Sequence, residues 1–99
     1  MLWKKNDNFK YVSYLSYAMK EEALKELGLN AKETAVYLAN LRLGSSLVQD
    51  IAHSAGLNRT STYDLLSSLE KKGFVSYTIT SWKRYYQATT PNKILDLLK

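Results

Sequence analysis

Few side chains in this sequence are equipped for covalent chemistry, and many are equipped for recognition. There is no cysteine and a single histidine, His53, which excludes thiol catalysis, disulfides and cysteine-ligated zinc. A metal held by that one histidine would need several carboxylates, and none converge on it in the sequence. Glu21, Glu22, Glu26 and Glu33 alternate instead with Lys20, Lys25 and Lys32, the spacing of a salt-bridged helix surface rather than of an acid–base pair. No glycine-rich phosphate loop and no Ser/His/Asp set occurs, so no enzyme activity, cofactor or metal is expected. Within ten positions, however, stand Asn58, Arg59, Thr60, Ser61, Tyr63 and Ser67. These are a guanidinium, a phenol and short hydroxyl and amide groups, suited to hydrogen bonding with polar edges and to gripping anions.

The elements around these residues follow from periodicity. Apolar residues recur at helical spacing from Phe9 to about Leu27, with Gly28 as a stop. Asn30-Ala31-Lys32-Glu33 reads as a capping box opening a helix with Tyr37, Leu38 and Leu41 on one face, Val36 and Leu43 beside it, and Gly44 at its end. A second box, Ser46-Leu47-Val48-Gln49, opens a short helix with Val48, Ile51, Ala52 and Ala55 inward and Gln49, Asp50, His53 and Ser54 outward. Gly56 and Leu57 make a turn, and Asn58 caps a third helix reaching about Lys72. Its core face is Thr62, Leu65, Leu66 and Leu69.

At Gly73 the period changes from helical to alternating. Phe74–Thr80 and Lys83–Thr89 read as antiparallel strands joined near Ser81-Trp82. Thr90-Pro91 then resembles a cap followed by proline at the first helical position, opening a closing helix with Ile94, Leu95, Leu97 and Leu98. The expected fold class is mainly α with a small antiparallel β-hairpin, arranged as a winged helix-turn-helix. The expected organisation is an N-terminal helical extension over 1–19, the domain proper over 20–90, and a C-terminal helix over 91–99.

Ninety-nine residues hold one small domain. The net charge is +5, unevenly spread: residues 1–57 carry seven Lys/Arg against six Asp/Glu, and residues 58–99 seven against three. The excess therefore accompanies the third helix and hairpin, as on a surface that meets phosphates. No signal peptide and no membrane span is evident, so a cytoplasmic, nucleoid-associated protein is expected.

Two helices joined by a three-residue turn, with the second presenting a polar face, describe a helix-turn-helix. Such a helix fits a major groove about 12 Å wide. The first turns of the third helix would reach base edges, with Arg59 best placed for a bidentate contact. The hairpin residues Trp82, Lys83 and Arg84 would lie along the backbone or in the minor groove, and Ser46, Gln49, His53, Lys71 and Lys72 would contact phosphates. Asp64 is out of place on such a surface. Trp82 has two readings, an indole laid on a sugar or one packed back on the sheet or a partner subunit, and packing is favoured.

From Leu27 to Leu98 the sequence resembles the DNA-binding domain of the TrmB-like transcription regulators, within the wider winged-helix group that includes MarR-like proteins. The residues carrying this are LGLNAKETAVYLANLRLG (27–44), IAHSAGLNRTSTYDLLSSLEKKGFV (51–75) and KRYYQATTP (83–91). The resemblance implies that Arg59, Thr60, Ser61 and Tyr63 read DNA, that Lys83 and Arg84 grip the backbone, and that Tyr86 and Ala88 face inward. Many relatives carry a basic residue at the position of Ser61, and glycine or proline in the hairpin where Ser81-Trp82 stands. Full-length relatives continue into a coiled coil and a sugar-sensing domain, so no small-molecule effector is expected of this chain.

The expected partner is double-stranded DNA, bound by a homodimer joined through the N-terminal helix (Tyr11, Tyr14, Leu15, Ala18) and the C-terminal one (Ile94, Leu97, Leu98). A sequence-specific regulator, and within that class a repressor, is the favoured function. Its alternatives are a winged-helix module that binds protein and a chromatin-type protein that contacts only phosphates.

Overall fold

The computed structural model describes residues 27–89. Three helices, α1 (Ala31–Leu43), α2 (Val48–Ala55) and α3 (Arg59–Lys71), precede two strands, β1 (Val75–Thr80) and β2 (Lys83–Ala88). The architecture is a winged helix-turn-helix, as expected. The helices expected over 9–27 and after Thr90, with the dimer residues on them, lie outside the described residues.

Local chemistry explains most boundaries. Asn30 Oδ1 accepts from the Glu33 amide at 2.8 Å and Glu33 Oε1 accepts from the Asn30 amide at 3.0 Å, completing the capping box of α1. Asn58 caps α3 by accepting from the Ser61 amide at 2.7 Å. Gly56 sits at φ 72°, ψ 31°, the left-handed conformation that ends α2 and that a Cβ disfavours.

The second capping box does not form. The N-cap of α2 is Leu47, with no side-chain bond. Ser46 is buried instead: its hydroxyl donates to the Gly44 carbonyl at 2.8 Å, and its backbone exchanges bonds of 3.0 and 2.8 Å with Tyr86. This bridge gives β2 a second neighbour at its root and removes the serine from the helix end.

The core sits where α1, α2, α3 and the hairpin root converge. Val36, Tyr37, Ile51, Leu66, Leu69, Phe74, Val75, Tyr86 and Ala88 close it, with Leu29 beneath α1. Tyr37 and Phe74 meet edge to face at 5.8 Å, and the Tyr37 hydroxyl donates to the Thr89 carbonyl at 2.8 Å. Leu43, expected beside this face, is the last residue of α1 and is 44% exposed.

Two buried polar groups fasten these elements. The Asn40 amide donates to the Tyr86 and Gly44 carbonyls, both at 3.1 Å, and to the Ser46 hydroxyl at 3.3 Å, holding the hairpin root against α1. Glu33, expected on a solvated helix face, is 3% exposed. It accepts from Ser68 and from Lys72 Nζ at 2.9 Å, tying the start of α1 to the end of α3.

Antiparallel pairing runs from Val75↔Ala88 to Thr80↔Lys83. The two-residue turn Ser81-Trp82 has φ 52° and 66°. Both values being positive matches the turn type that follows the right-handed twist of a hairpin, normally built from Asn and Gly. Here both residues carry a Cβ, at a cost of about 1–2 kcal/mol each.

Candidate nucleic-acid interface

Strand alternation decides where the hairpin's charges point. The register opposes Tyr77 to Tyr86 and Ile79 to Arg84, while Lys83 opposes Thr80 on the other face. Adjacent in sequence, Lys83 and Arg84 are therefore split between the two sides of the wing. Arg84 shares the side that packs, at its root, on the core.

There its guanidinium lies 4.4 Å from the Tyr77 ring centroid and 5.7 Å from that of Tyr63 on α3. Nη1 donates to the Tyr86 hydroxyl at a long 3.4 Å. Tyr77 and Tyr86 meet with centroids 5.6 Å apart. Arg84 is thus held on aromatic faces that join the wing to the third helix, and the planar guanidinium keeps its edge for an anion. The hydrogen bond to Tyr86 and the flanking phenols hold its pKa above the usual arginine value, so it stays charged. This cluster was not foreseen. The signal was available, because a two-residue loop sets the register that brings Tyr77, Arg84 and Tyr86 to one side.

Above the cluster opens a cleft of about 320 Å³. Leu47, Val48 and Gln49 at the start of α2 form one wall, Arg59 and Tyr63 of α3 the floor, and Trp82, Lys83 and Arg84 the wing side. Among the described residues three cations line it and no carboxylate does. The starts of both helices face it, and α2 has no side-chain cap over its first amides. Helix N-termini carry partial positive charge, so the walls and side chains act in the same sense.

Arg59, Thr60, Tyr63 and Ser67 are exposed on α3, as is Asp64. Asn58 is exposed but engaged in capping, and Ser61 is half-buried. Gln49, His53 and Lys71 are exposed, with only Gln49 on the cleft. Two residues expected to meet phosphates are engaged within the fold. Ser46 is buried beneath the wing, and Lys72 holds Glu33 and the Gly28 carbonyl, the latter at 2.6 Å. Trp82 does not pack back on the sheet: it is 96% exposed at the wing tip.

Comparison with known families completes the picture. Residues 24–92 match the model of the sugar-specific transcriptional regulator TrmB. The chain belongs to the TrmB family. It is 36% identical over 84 residues to the HTH-type sugar sensing transcriptional regulator TrmBL1 of Pyrococcus furiosus, a match spanning 82% of this chain and 24% of that protein. The chain thus spans about a quarter of the length of this curated relative. Among solved structures, TrmBL2, described as an archaeal chromatin protein with a novel mode of DNA binding, superposes with a TM-score of 0.64 at 26% identity. That match covers 91% of this chain and 32% of TrmBL2. The Staphylococcus aureus MepR–DNA complex gives a TM-score of 0.58 at 15% identity over 91% of this chain and 77% of MepR, a likeness of fold. The family is one of transcription regulators, not of enzymes. Among the described residues no helix is long and apolar enough to cross a membrane.

Proposed function

We propose that this TrmB-family domain is the DNA-reading part of a sequence-specific transcription regulator. The observation that carries the reading is the cleft where Arg59, Lys83 and Arg84 meet the starts of two helices. The first turns of α3 enter the major groove, where Arg59 and Thr60 reach base edges and Tyr63 backs them against the wing. Gln49 at the α2 start and Lys83 on the wing take flanking phosphates, and His53 and Lys71 extend the contact along the backbone. Repression follows where such an operator overlaps a promoter.

A homodimer suits this geometry, because two-fold pairing sets two recognition helices about one DNA turn apart. The regulator relatives of the family support DNA as the partner. The dimer residues proposed from sequence, at both chain ends, remain the candidates for its interface.

Titration of labelled duplexes over a salt series tests the function. Regulatory binding weakens steeply with salt, by a log–log slope of about −0.9 per phosphate contacted, yet retains a preference of roughly 10³ or more for a selected site. Loss of that preference with the slope intact would identify a chromatin-type binder. Exposed Asp64, Ile79 and Trp82 favour a second reading, a protein-binding wing. Absence of duplex binding at low salt would establish it in place of the first. Sedimentation with and without duplex tests the dimer, which a monomer under both conditions rules out.

A further inference from the structure

The wing tip carries an unusual combination. Trp82 is 96% exposed and Ile79, three residues earlier, is 63% exposed. No Asp or Glu occurs from Phe74 to Thr89. The pairs Thr78↔Tyr85, Ile79↔Arg84 and Thr80↔Lys83 continue past the last buried residue, Tyr86. Three pairs at about 3.3 Å each carry the tip roughly 10 Å outward. The indole is therefore a bare aromatic plate on a cationic stalk, on the rim of the cleft that holds Arg59, Lys83 and Arg84.

Its backbone sharpens the point. Trp82 sits at φ 66° in a position where glycine is the unstrained residue. The fold thus accepts strain to hold a large ring that packs on nothing in the described chain. Strain of this kind, at an exposed side chain, is better matched to a partner than to folding. The partner must be anionic along its rim and apolar or aromatic within. A second copy of this wing would bring positive charge against positive charge.

We infer that Trp82 is a minor-groove wedge that inserts between base pairs beside the segment read by α3, unstacking one step and bending the duplex. The inference rests on the DNA reading above and adds to it a mechanical role for the wing. A minor groove about 7.5 Å deep is within reach of the projecting tip. Lys83 and Arg84 flank the indole as the groove walls demand, since the negative potential there attracts cations. The step entered is a pyrimidine–purine one, which unstacks at least cost. Specificity then arises at a position where no hydrogen bond is made to a base.

The test uses two 30-bp duplexes of equal base composition, one with regularly placed TA and CA/TG steps, the other homopurine·homopyrimidine and free of such steps. Each carries a donor and an acceptor dye at its ends. Binding is followed with the full chain in a Trp3→Phe background, where Trp82 is the sole indole. The wedge predicts quenching of Trp82 emission and increased energy transfer on the stepped duplex. It also predicts about tenfold tighter binding there than to the step-free duplex. Trp82→Gly, which relieves the turn, should keep the thermal midpoint or raise it while removing both the bend and the preference. Trp82→Phe should retain part of each.

Binding to both duplexes with unchanged energy transfer and no effect of Trp82→Gly would overturn the wedge and leave the DNA reading intact. Quenching without bending would place the indole on a sugar and overturn it too. A blue-shifted Trp82 emission that depends on protein concentration without DNA would assign the ring to a contact between copies, against the inference. Failure to bind either duplex would remove the wedge and the DNA reading together.

Discussion

Lys72 has two roles open to it, with opposite consequences, and its replacement by methionine separates them. In the structure its ammonium reaches Glu33 Oε1 and Oε2 at 2.9 and 3.0 Å, and the side chains are 37% and 4% exposed. Lys72→Met leaves a buried carboxylate with only the Ser68 hydroxyl and Asn30 amide as donors. Removing one partner of a fully buried pair costs about 3–5 kcal/mol. Here Lys72 is partly solvated and water can reach the carboxylate from its side, so roughly 2–3 kcal/mol is expected. Glu33→Gln keeps the shape and replaces charge-assisted bonds by neutral ones, which costs about 2 kcal/mol.

The double variant buries no unpaired charge. Its destabilisation should fall short of the two single losses combined by about 1–2 kcal/mol. Urea unfolding at neutral pH, with equal m-values, measures all three. Acid supplies an independent check. Desolvation raises the Glu33 pKa, but the hydrogen bonds from Ser68, the Asn30 amide and Lys72 outweigh it, and the net shift is downward. A depressed carboxylate contributes stability that is complete above its unfolded pKa and is lost as pH falls through the folded one. Glu33→Gln should therefore show a shallower loss of stability below about pH 4.5. On DNA, Lys72→Met should leave the salt slope unchanged, whereas a phosphate ligand would reduce its magnitude by about 0.9. A coupling near zero together with a reduced salt slope would refute the structural assignment.

Arg59→Ala should cost about 1–3 kcal/mol on a selected duplex and much less on random DNA; equal losses would show that the guanidinium holds only phosphate. Lys83→Met should reduce the salt slope by about 0.9 without changing the urea midpoint. Tyr63→Ala removes one aromatic face from Arg84 and should lower stability slightly; Arg84→Ala in that background measures the coupling, which an additive result would disprove. Asn40→Ala should destabilise by about 1–3 kcal/mol. Its loss is moderated because the Gly44 and Tyr86 carbonyls keep bonds from Ser46 and because the Asn40 carbonyl oxygen is itself unpartnered. Faster amide exchange in β2 than in α3 should accompany it.

Helix starts and stops were legible because their causes are local. Asn30, Glu33, Asn58 and Gly56 act within a few positions of themselves, and alternation over 74–89 announced the hairpin. Arg59 and Tyr63 on the exposed side of α3 followed from the same periodicity.

The order of elements, the helix that carries the recognition groups and the cationic bias of the second part of the chain were thus readable from local pattern and composition. How individual polar residues are used depends on long-range packing. Ser46 looked like a cap and is bonded across the wing root, because Tyr86, forty positions away, competes for its backbone. Lys72 looked like a phosphate contact and closes a pair with Glu33, because packing α1 on α3 buries that carboxylate beside it. Arg84 looked like a twin of Lys83 and lies on the opposite face, against aromatic rings contributed by two elements. Propensity and capping act over one or two turns of chain. Burial and charge pairing act through space, and they are settled only when distant segments pack.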